Sequence, residues 1–446
     1  MEDLGARMSG MAGRRVAVLG GGWAGMAAAV ELSDAGARVA VFEAAQTLGG
    51  RARAVVYRGT TLDNGAHILV GAYRETLAIM RKVGVDEARG LFARLPLELN
   101  FPGRFRLRAP RLPGPLHLAA ALLGCSGLPW GERLGAVRFM RTLQSMRFTL
   151  DRDTTVAALL ECHAQGTHAR RYLWEPLCIA ALNTRAQQAS AQVFLNVLRD
   201  SLNGARSDSE LILPRCDLSH LFPLPAADHV DARGGRVVTG CAVHAVREHG
   251  RGFEIEHTHG REPCDAVVCA LPPYRVADTL APLASMRSIT RDIVMLEHEP
   301  ITSVYLQFDA GASLPGAMVG LEDGHAQWAF DRGRLAGQHG LVCAVVSARG
   351  AHEALSHEQL AVHVEDELRA RFPRLGTPRW RKVIAEKRAT FSCRPDLGRP
   401  DQITPVAGLV LAGDYTASPY PGTLEAAVRS GVRCARLLSE GSHVHA

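Results

Sequence analysis

The sequence predicts an α/β protein in which a Rossmann-type nucleotide-binding domain is interrupted by a second domain of the α+β class. A strand, a glycine-rich turn, a helix and a second strand follow one another between Val16 and Phe42. Apolar strand-like segments return far along the chain, at 266–271 and 409–412. A chain of 446 residues is also longer than one hydrophobic core usually supports. Together these observations indicate two domains that are discontinuous in sequence.

The order of the predicted elements gives the domain boundaries. The segments assigned to the nucleotide-binding domain are 14–98, 226–275 and 395–440, and those assigned to a substrate-binding domain are 99–225 and 276–394. We expect the region from about 100 to 203 to be mainly helical, because Leu and Trp residues recur there at helical spacing. The segment 236–246 is predicted to be one strand of a hairpin.

Composition and charge narrow the class of protein. Hydrophobic residues make up 47% of the chain and charged residues 22%, which is typical of a globular protein. The net charge of +6 suits an anionic cofactor or an anionic membrane surface, but it is too small to indicate a nucleic-acid partner. None of the ten cysteines lies in a C-x-x-C pair, so neither a disulfide scaffold nor a metal site is predicted. The first 13 residues lack the apolar core of a signal peptide, and we expect a cytoplasmic protein.

The strongest functional signal is the glycine-rich turn after the first strand. It contains G-x-G-x-x-G and includes Trp23 and Ala24, where the following helix opens. Gly20 permits the tight turn, Gly22 lets the backbone approach a pyrophosphate, and Gly25 allows close packing of helix and strand. The N–H groups and the positive end of the helix dipole then face the phosphates. The turn therefore predicts a dinucleotide site, although the motif alone is weak evidence.

Two further features strengthen this prediction. Glu43 ends the second strand, 23 residues after Gly20, where a carboxylate can accept a hydrogen bond from a ribose 2′-hydroxyl. Shortly afterwards, Gly49, Gly50 and Arg51 can wrap the same pyrophosphate and add a cation. A nicotinamide dehydrogenase does not need this second clamp, so the pattern favours a flavin dinucleotide.

The other end of the chain offers a matching set of residues. The strand at 409–412 leads into Gly413 and Asp414, and Thr423 stands before a helix rich in small residues. Asp414 can bind a ribityl hydroxyl, and the N-terminus of the helix can face the pyrimidine edge of an isoalloxazine. The alternative is that Asp414 only caps a helix. With the N-terminal set, the pattern favours FAD.

These motifs resemble the superfamily of FAD-dependent amine oxidases and phytoene desaturases, over nearly the whole chain. The closer resemblance is to its squalene-associated branch, the hydroxysqualene dehydroxylases of hopanoid synthesis. Three stretches carry it, at 62–74, 174–184 and 412–423. The branch usually has Gln at the position of Ala66, so this chain departs from the branch there.

The resemblance implies an FAD enzyme that reduces hydroxysqualene to squalene with loss of water. Its partners would be an isoprenoid hydrocarbon substrate and an external reductant, since the sequence has no second G-x-G-x-x-G for a nicotinamide. The resemblance also implies that Val243 contacts the adenine through its backbone and that the loop with His67 reaches the flavin. His67 is the candidate proton donor, although a lone histidine is more often structural.

Three other functions share this pattern. A carotenoid desaturase of the phytoene type has the same fold and the reverse electron flow, and an amine oxidase would need a smaller cavity with a polar end. An escort of prenylated proteins shares the architecture without flavin, but the intact phosphate clamp argues against it. Four polar residues are further candidates for the wall of a substrate tunnel, with helix capping and core packing as the alternatives: Asn183, Thr184, Tyr415 and Tyr420.

One segment points towards membranes. Between Leu99 and Gly131 there is no acidic residue. The segment contains four arginines, Arg104, Arg106, Arg108 and Arg111. Proline and glycine residues interrupt it, so it is not predicted to be a transmembrane helix. We expect residues 101–131 either to dock on the anionic inner face of the cytoplasmic membrane or to form a buried helical hairpin.

Overall fold

A parallel sheet of five strands forms the base of the nucleotide-binding side. The computed structural model describes residues 9–114 and 116–441. In spatial order, the strands of the parallel sheet are Arg236–Val238, Arg38–Phe42, Arg15–Leu19, Ala266–Cys269 and Leu409–Leu411. All neighbouring pairs run parallel. The strands come from all three segments predicted for this domain, and the Rossmann-type fold is confirmed.

Helices cover one face of the parallel sheet. Trp23–Asp34 follows the first strand, and both Pro223–Asp231 and Leu424–Gly441 pack against it. The first and last helices touch backbone to backbone, because a Cβ atom at Gly431 would lie 2.1 Å from the carbonyl oxygen of Ala24. The last helix therefore holds the C-terminal part of the chain beside the glycine-rich turn.

A small antiparallel sheet covers the other face. Its strands are Val243–His249, Gly252–His257 and Gly260–Cys264. The prediction of a single strand at 236–246 is wrong, because residues 236–238 belong to the parallel sheet. The chain then turns at Gly240, whose amide bonds to the carbonyl oxygen of Ala45, while the next amide bonds to the carbonyl oxygen of Glu43. These bonds hold the turn against the end of the strand Arg38–Phe42, so the strand that starts at Arg236 ends at Val238.

A second, larger antiparallel sheet forms the centre of the part of the chain that is predicted to bind the substrate. In spatial order its strands are Met318–Gly320, Trp328–Asp331, Leu341–Ser347, His298–Gln307 and Trp380–Phe391. Pairing between the last two is interrupted, since Glu299 pairs with Thr390 but Ile301 already pairs with Glu386. Residues 387–389 therefore bulge out of the sheet.

The middle of the chain is helical only in part. It begins with a hairpin in which Glu98–Phe101 pairs with Phe105–Arg108. Buried and exposed side chains alternate along the second of these strands, which is strand periodicity rather than helix periodicity. The remaining short strands are Ala54–Tyr57, Thr60–Asp63, Leu69–Val70, Phe92–Leu95 and Leu211–Pro214.

Helices fill the rest of the molecule. They are Arg74–Lys82, Leu116–Gly124, Trp130–Ser145, Val156–Cys162, Thr167–Ala169, Glu175–Leu182, Ala191–Leu202, Leu218–Leu221, Pro273–Leu280, Arg287–Val294, Arg332–Ala336 and His357–Arg371. Within residues 9–114 and 116–441, none of the helices combines the length and the apolar character that a membrane crossing requires.

Gly431→Ala should destabilise the protein, because the added methyl group collides with the carbonyl oxygen of Ala24 and pushes the two helices apart. We expect a loss of about 1–3 kcal/mol in the free energy of unfolding, measured by thermal and urea denaturation. Gly135→Ala is the matched control, since Gly135 also lies inside a helix but nothing lies within 4 Å of a Cβ there. Alanine at that position should stabilise the helix by up to about 1 kcal/mol. Equal effects of the two substitutions would contradict the backbone contact.

Candidate functional site

At two positions of the glycine-rich turn, the backbone accommodates no residue other than glycine. Gly20 has a φ of 105°, and a Cβ there would lie 2.7 Å from the carbonyl oxygen of Ala270. A Cβ at Gly25 would lie 2.0 Å from the carbonyl oxygen of Gly20. The first helix can therefore start directly at the end of its strand, with its N-terminus at the edge of the sheet.

The N-terminus of this helix presents its backbone amides. The helix begins after Gly22, and no side chain caps it. The indole of Trp23 points into the core, where its Nε1 donates to the carbonyl oxygen of Ala52 at 3.2 Å and its ring packs on Phe222. The amides of the first turn, including that of Ala24, are thus the groups that a phosphate would meet.

The second glycine loop lies directly beside the first. Gly22 and Gly49 form a parallel bridge, and the Gly49 amide donates to the carbonyl oxygen of Gly21 at 2.9 Å. A Cβ at Gly50 would lie 3.2 Å from the Cα atom of Gly22. This close approach fits a pyrophosphate that is cradled by backbone groups from two sides.

Glu43 lies immediately after the second strand, close to both loops. Its carboxylate accepts hydrogen bonds from the amide of Gly21 at 2.7 Å and from that of Ala45 at 2.8 Å. Each oxygen takes one amide, so both keep a lone pair for ribose hydroxyls. Val243 is buried nearby, since the amide of Cys241 donates to the Glu43 carbonyl oxygen.

Residues from the two ends of the chain meet at Arg51 and Asp414. Their side chains form an ion pair, with 2.5 Å between Nη2 and Oδ1. Arg51 also donates to the carbonyl oxygen of Ala389, in the bulge of the larger antiparallel sheet. Burial disfavours the charge of Arg51, but the Asp414 carboxylate keeps the pKa of Arg51 above its usual value. Arg51 therefore keeps its positive charge, and it lies beside the buried carboxylate of Asp414.

An arginine that the sequence analysis missed holds the loop after Asp414. Arg399 donates to the backbone carbonyl oxygens of Asp414, Ser418 and Tyr420. At the end of the loop, the hydroxyl of Thr423 accepts a backbone hydrogen bond from the last helix at 3.2 Å. No motif marks Arg399, because its acceptors are carbonyl groups that any residue would supply.

His67 faces the same region. Its Nδ1 lies 2.9 Å from the carbonyl oxygen of Gly65, which can only accept a hydrogen bond, so we assign the proton to Nδ1. Nε2 is then the nitrogen that can exchange a proton with a substrate. Burial lowers the pKa of His67, and the charge of Arg51 lowers it further. The ring is therefore mainly neutral at pH 7.

A buried polar cluster supports the loop that carries His67. Asp63 accepts a hydrogen bond from the amide of Leu218 at 2.8 Å and lies 3.7 Å from the guanidinium of Arg332. The hydroxyl of Tyr305 donates to the Asp63 carbonyl oxygen and accepts from the Asp63 amide. Burial raises the pKa of Asp63 to about 6 in spite of the arginine. The loop is thus tied to the larger antiparallel sheet at its base.

A second histidine, His298, lies close to the Arg51–Asp414 pair and was not predicted. It begins the strand beside the bulge, and it interacts electrostatically with Arg51, Arg388 and Asp414. Burial lowers the pKa of His298, and the two arginines add to this effect. No local pattern marks this residue, because only the pairing of two distant strands brings it to the site.

Three of the four candidates for a tunnel wall have hydrogen-bond partners within the fold. Asn183 ends the helix Glu175–Leu182, and both Asn183 and Thr184 bond to backbone groups of distant segments, so they fasten the fold together. Tyr415 is buried in the core, and core packing was the alternative to a place in the tunnel wall. The hydroxyl of Tyr420 donates to the carboxylate of Asp200 at 2.7 Å.

The residues present fit the predicted FAD. The two glycine loops are so tightly packed that a Cβ atom at Gly20, Gly25 or Gly49 would collide with backbone, and such tight glycine turns are typical of pyrophosphate sites. A carboxylate stands beside each glycine loop, since Glu43 bonds to the Gly21 amide and Asp414 pairs with Arg51. Among the side chains that the structure describes, no group could hold a metal ion.

Comparisons with known proteins agree with this arrangement. Residues 23–439 match the sequence profile of the family described as flavin containing amine oxidoreductase. Hydroxysqualene dehydroxylase of Rhodopseudomonas palustris is 29% identical over 440 residues, which cover 95% of this chain and 98% of that protein. The probable zeta-carotene desaturase of Synechococcus elongatus is 24% identical, over 97% of this chain and 100% of that protein. An oxidoreductase of Methanosarcina mazei shares the fold, with a TM-score of 0.73 at 14% identity over 94% of this chain and 99% of that chain.

Replacing Glu43 with Gln should weaken FAD binding. An amide side chain has a single acceptor oxygen, so it cannot bond to both the Gly21 and the Ala45 amides and still accept from a ribose hydroxyl. We expect the Kd for FAD, titrated into the apoprotein, to rise roughly tenfold, or by about 1.4 kcal/mol. Glu31→Gln removes the same charge near the other end of the first helix, where Glu31 pairs with Lys82, and should leave the Kd unchanged. An unaltered Kd in Glu43→Gln would remove this residue from the site.

Proposed function

Because the chain belongs to the family of flavin containing amine oxidoreductases, it is an FAD-dependent oxidoreductase, and we propose that it reduces hydroxysqualene to squalene with loss of water. The observation that carries this proposal is the likeness to hydroxysqualene dehydroxylase over nearly the whole length of both chains. The geometry supports it, because the glycine cradle and the Arg51–Asp414 pair fit FAD.

We assign FAD binding to one set of residues. They are Gly20, Gly22, Trp23, Ala24, Gly25, Glu43, Gly50, Arg51, Val243, Gly413, Asp414 and Thr423. In this assignment Glu43 accepts from the ribose, and the backbone of Val243 contacts the adenine. Asp414 binds a ribityl hydroxyl, and the helix that Thr423 caps directs its N-terminus towards the pyrimidine edge of the flavin.

The proposed reaction exchanges an allylic hydroxyl group for hydrogen. The C–O bond breaks, the hydroxyl takes up a proton and leaves as water, and a C–H bond forms with a hydride. Reduced FAD, when bound, supplies that hydride and is left oxidised. The chain has to supply the proton, orient the substrate and keep water away from the reacting carbon.

His67 is the proton donor that we propose. The Gly65 carbonyl oxygen holds Nδ1 and so fixes the ring, which leaves Nε2 for the departing hydroxyl. The lowered pKa makes the protonated ring a stronger acid than a free imidazolium, but it also makes the protonated form a minority at pH 7. Catalysis through His67 should therefore be favoured by mildly acidic conditions.

In this proposal, the enzyme takes its electrons from an external reductant and its substrate from a lipid bilayer. The sequence has no second G-x-G-x-x-G, so we propose an external reductant that binds transiently or acts through another protein. A thirty-carbon isoprenoid gains about 20 kcal/mol by staying in lipid. We therefore propose that the enzyme collects its substrate at the inner face of the cytoplasmic membrane.

A carotenoid desaturase is the second candidate function. The likeness to the desaturase of Synechococcus elongatus favours it, because it also spans nearly the whole chain, although at lower identity. That reaction would remove hydrogen from the substrate and would need an electron acceptor instead of a reductant.

Anaerobic incubation distinguishes the two reactions. The purified protein should show a flavin spectrum and, once reduced with dithionite, should convert hydroxysqualene to squalene in an amount equal to its flavin. The oxidised protein, supplied with a quinone, should leave phytoene and zeta-carotene unchanged. In a separate incubation with air, hydrogen peroxide formed with amines would indicate an amine oxidase. A colourless protein that does not rebind FAD would contradict the proposal as a whole.

His67→Gln should lower the turnover number by about 100- to 1000-fold without altering the flavin spectrum. The wild-type rate should rise as the pH falls towards the pKa of His67, which lies below the usual value, and level off beneath it. Burial also raises the pKa of Asp63 to about 6 and lowers that of His298, so the decisive result is the loss of this pH dependence in His67→Gln. The control is His220→Gln, which changes an exposed histidine paired with Asp217 and should keep the wild-type profile. A wild-type pH profile in His67→Gln would exclude His67 as the donor.

A further inference from the structure

We propose that one face of the helical region docks on an anionic lipid bilayer. The purpose of docking rests on the proposed function, but the face is defined by its own chemistry. The helix Leu116–Gly124 contains no Asp, Glu, Lys or Arg. Its inner side is buried and consists of His117, Leu118, Ala121 and Leu122. Its outer side consists of Leu116, Ala119, Ala120 and Leu123, spaced as one face of a helix.

Other large apolar side chains are exposed on the segments that flank this helix in sequence. Leu112, Trp130 and Leu134 are 40%, 65% and 50% exposed, and Leu116 is 60% exposed. Trp130 and Leu134 are one turn apart on a helix that packs against Leu116–Gly124. These four are among ten large apolar side chains that are exposed in the described part of the chain. We call them, with the outer side of the helix, the docking face.

The docking face is held in shape by Arg133. Its guanidinium lies 4.6 Å from the centre of the Trp130 ring and donates to the carbonyl oxygens of Leu123 and Leu128. The arginine therefore joins the end of one helix to the start of the next and fixes the tryptophan between them. Less conformational freedom is then lost when the face meets a partner.

Arginines border the docking face on the preceding hairpin. Arg106 and Arg108 point outward from their strand, in which exposed and buried residues alternate. The backbone of Arg106 pairs with Ser126, in the link between the two helices, at 2.9 and 3.2 Å. The hairpin cations thus lie beside the helices, and Arg104 and Arg111 are exposed as well.

Acidic groups offset these cations only partly. The segment that carries the arginines has no Asp or Glu. Glu98, just before it, lies 2.9 Å from Arg106 and 3.8 Å from Arg108, and Glu322 lies 3.0 Å from Arg104. Arginines this exposed gain little from such pairs, so lipid phosphates can compete for them.

An anionic bilayer matches this combination of groups. A bilayer interface accepts an apolar helix side, takes Trp at the level of the headgroups and binds arginine through phosphate. The helix has 9 residues, so it would lie in the plane of the surface and not cross it. The net charge of +6 draws the chain towards the same surface.

Vesicle binding by the FAD-bound protein tests the docking face. The wild type and a Leu116→Glu/Trp130→Glu variant are sedimented with phosphatidylcholine vesicles, with and without phosphatidylglycerol. We expect the wild type to bind the phosphatidylglycerol vesicles, less so at high salt, and the double variant to bind at least tenfold more weakly. Arg108→Gln/Arg111→Gln should reduce both the binding and its salt dependence. The control is Val56→Glu, at a residue that is 72% exposed elsewhere, and it should bind like the wild type.

Turnover separates docking from catalysis. The double variant should match the wild type with hydroxysqualene in detergent micelles and be at least tenfold slower with hydroxysqualene in phosphatidylglycerol vesicles. Equal vesicle binding by the wild type and the double variant would overturn the docking face and leave the reaction standing. Vesicle binding by a wild type that reduces hydroxysqualene in neither form would overturn the reaction instead. A wild type that ignores vesicles but forms dimers, lost in the double variant, would replace the bilayer with a second copy of the chain.

Discussion

Close backbone contact around the glycine-rich turn is the constraint on which the rest of the site depends. Gly25 packs against the carbonyl group of Gly20, and Gly431 lets the last helix lie directly on the first. The first contact sets where the helix dipole points, and the second sets how near the C-terminal loop with Asp414 can come. Because both contacts involve main chain, no side-chain rearrangement can compensate for a displacement of either helix.

The site also joins the two sides of the molecule. Arg51 connects Asp414 with the bulge at Ala389, so the larger antiparallel sheet has a fixed position relative to the glycine cradle. Asp63 ties the loop of His67 to the same sheet, at an energetic cost. A pKa of about 6 in place of 3.8 corresponds to about 3 kcal/mol of lost stability at pH 7. A buried carboxylate kept at that cost is consistent with a role in positioning the imidazole.

Local sequence patterns predicted much of the fold and of the candidate site. The parallel strands are buried on both faces and stand out as apolar runs, and the spacing from the glycine turn to Glu43 reflects one continuous βαβ unit. The hairpin that ends at Arg108 was missed because strands of four residues are too short for their periodicity to outweigh neighbouring helical segments. Arg399 and His298 could not be found, since the first binds backbone carbonyls and the second reaches the site through a distant strand.

The strand order of the parallel sheet bears on how the chain is made in the cell. The central strand Arg15–Leu19 leaves the ribosome well before its neighbour Ala266–Cys269, and Leu409–Leu411 follows later still. Until then the nascent chain exposes an unpaired apolar strand edge, the kind of surface that aggregates or recruits chaperones. Because Asp414 follows the last of these strands, its ion pair with Arg51 can form only after Leu409–Leu411 has been made.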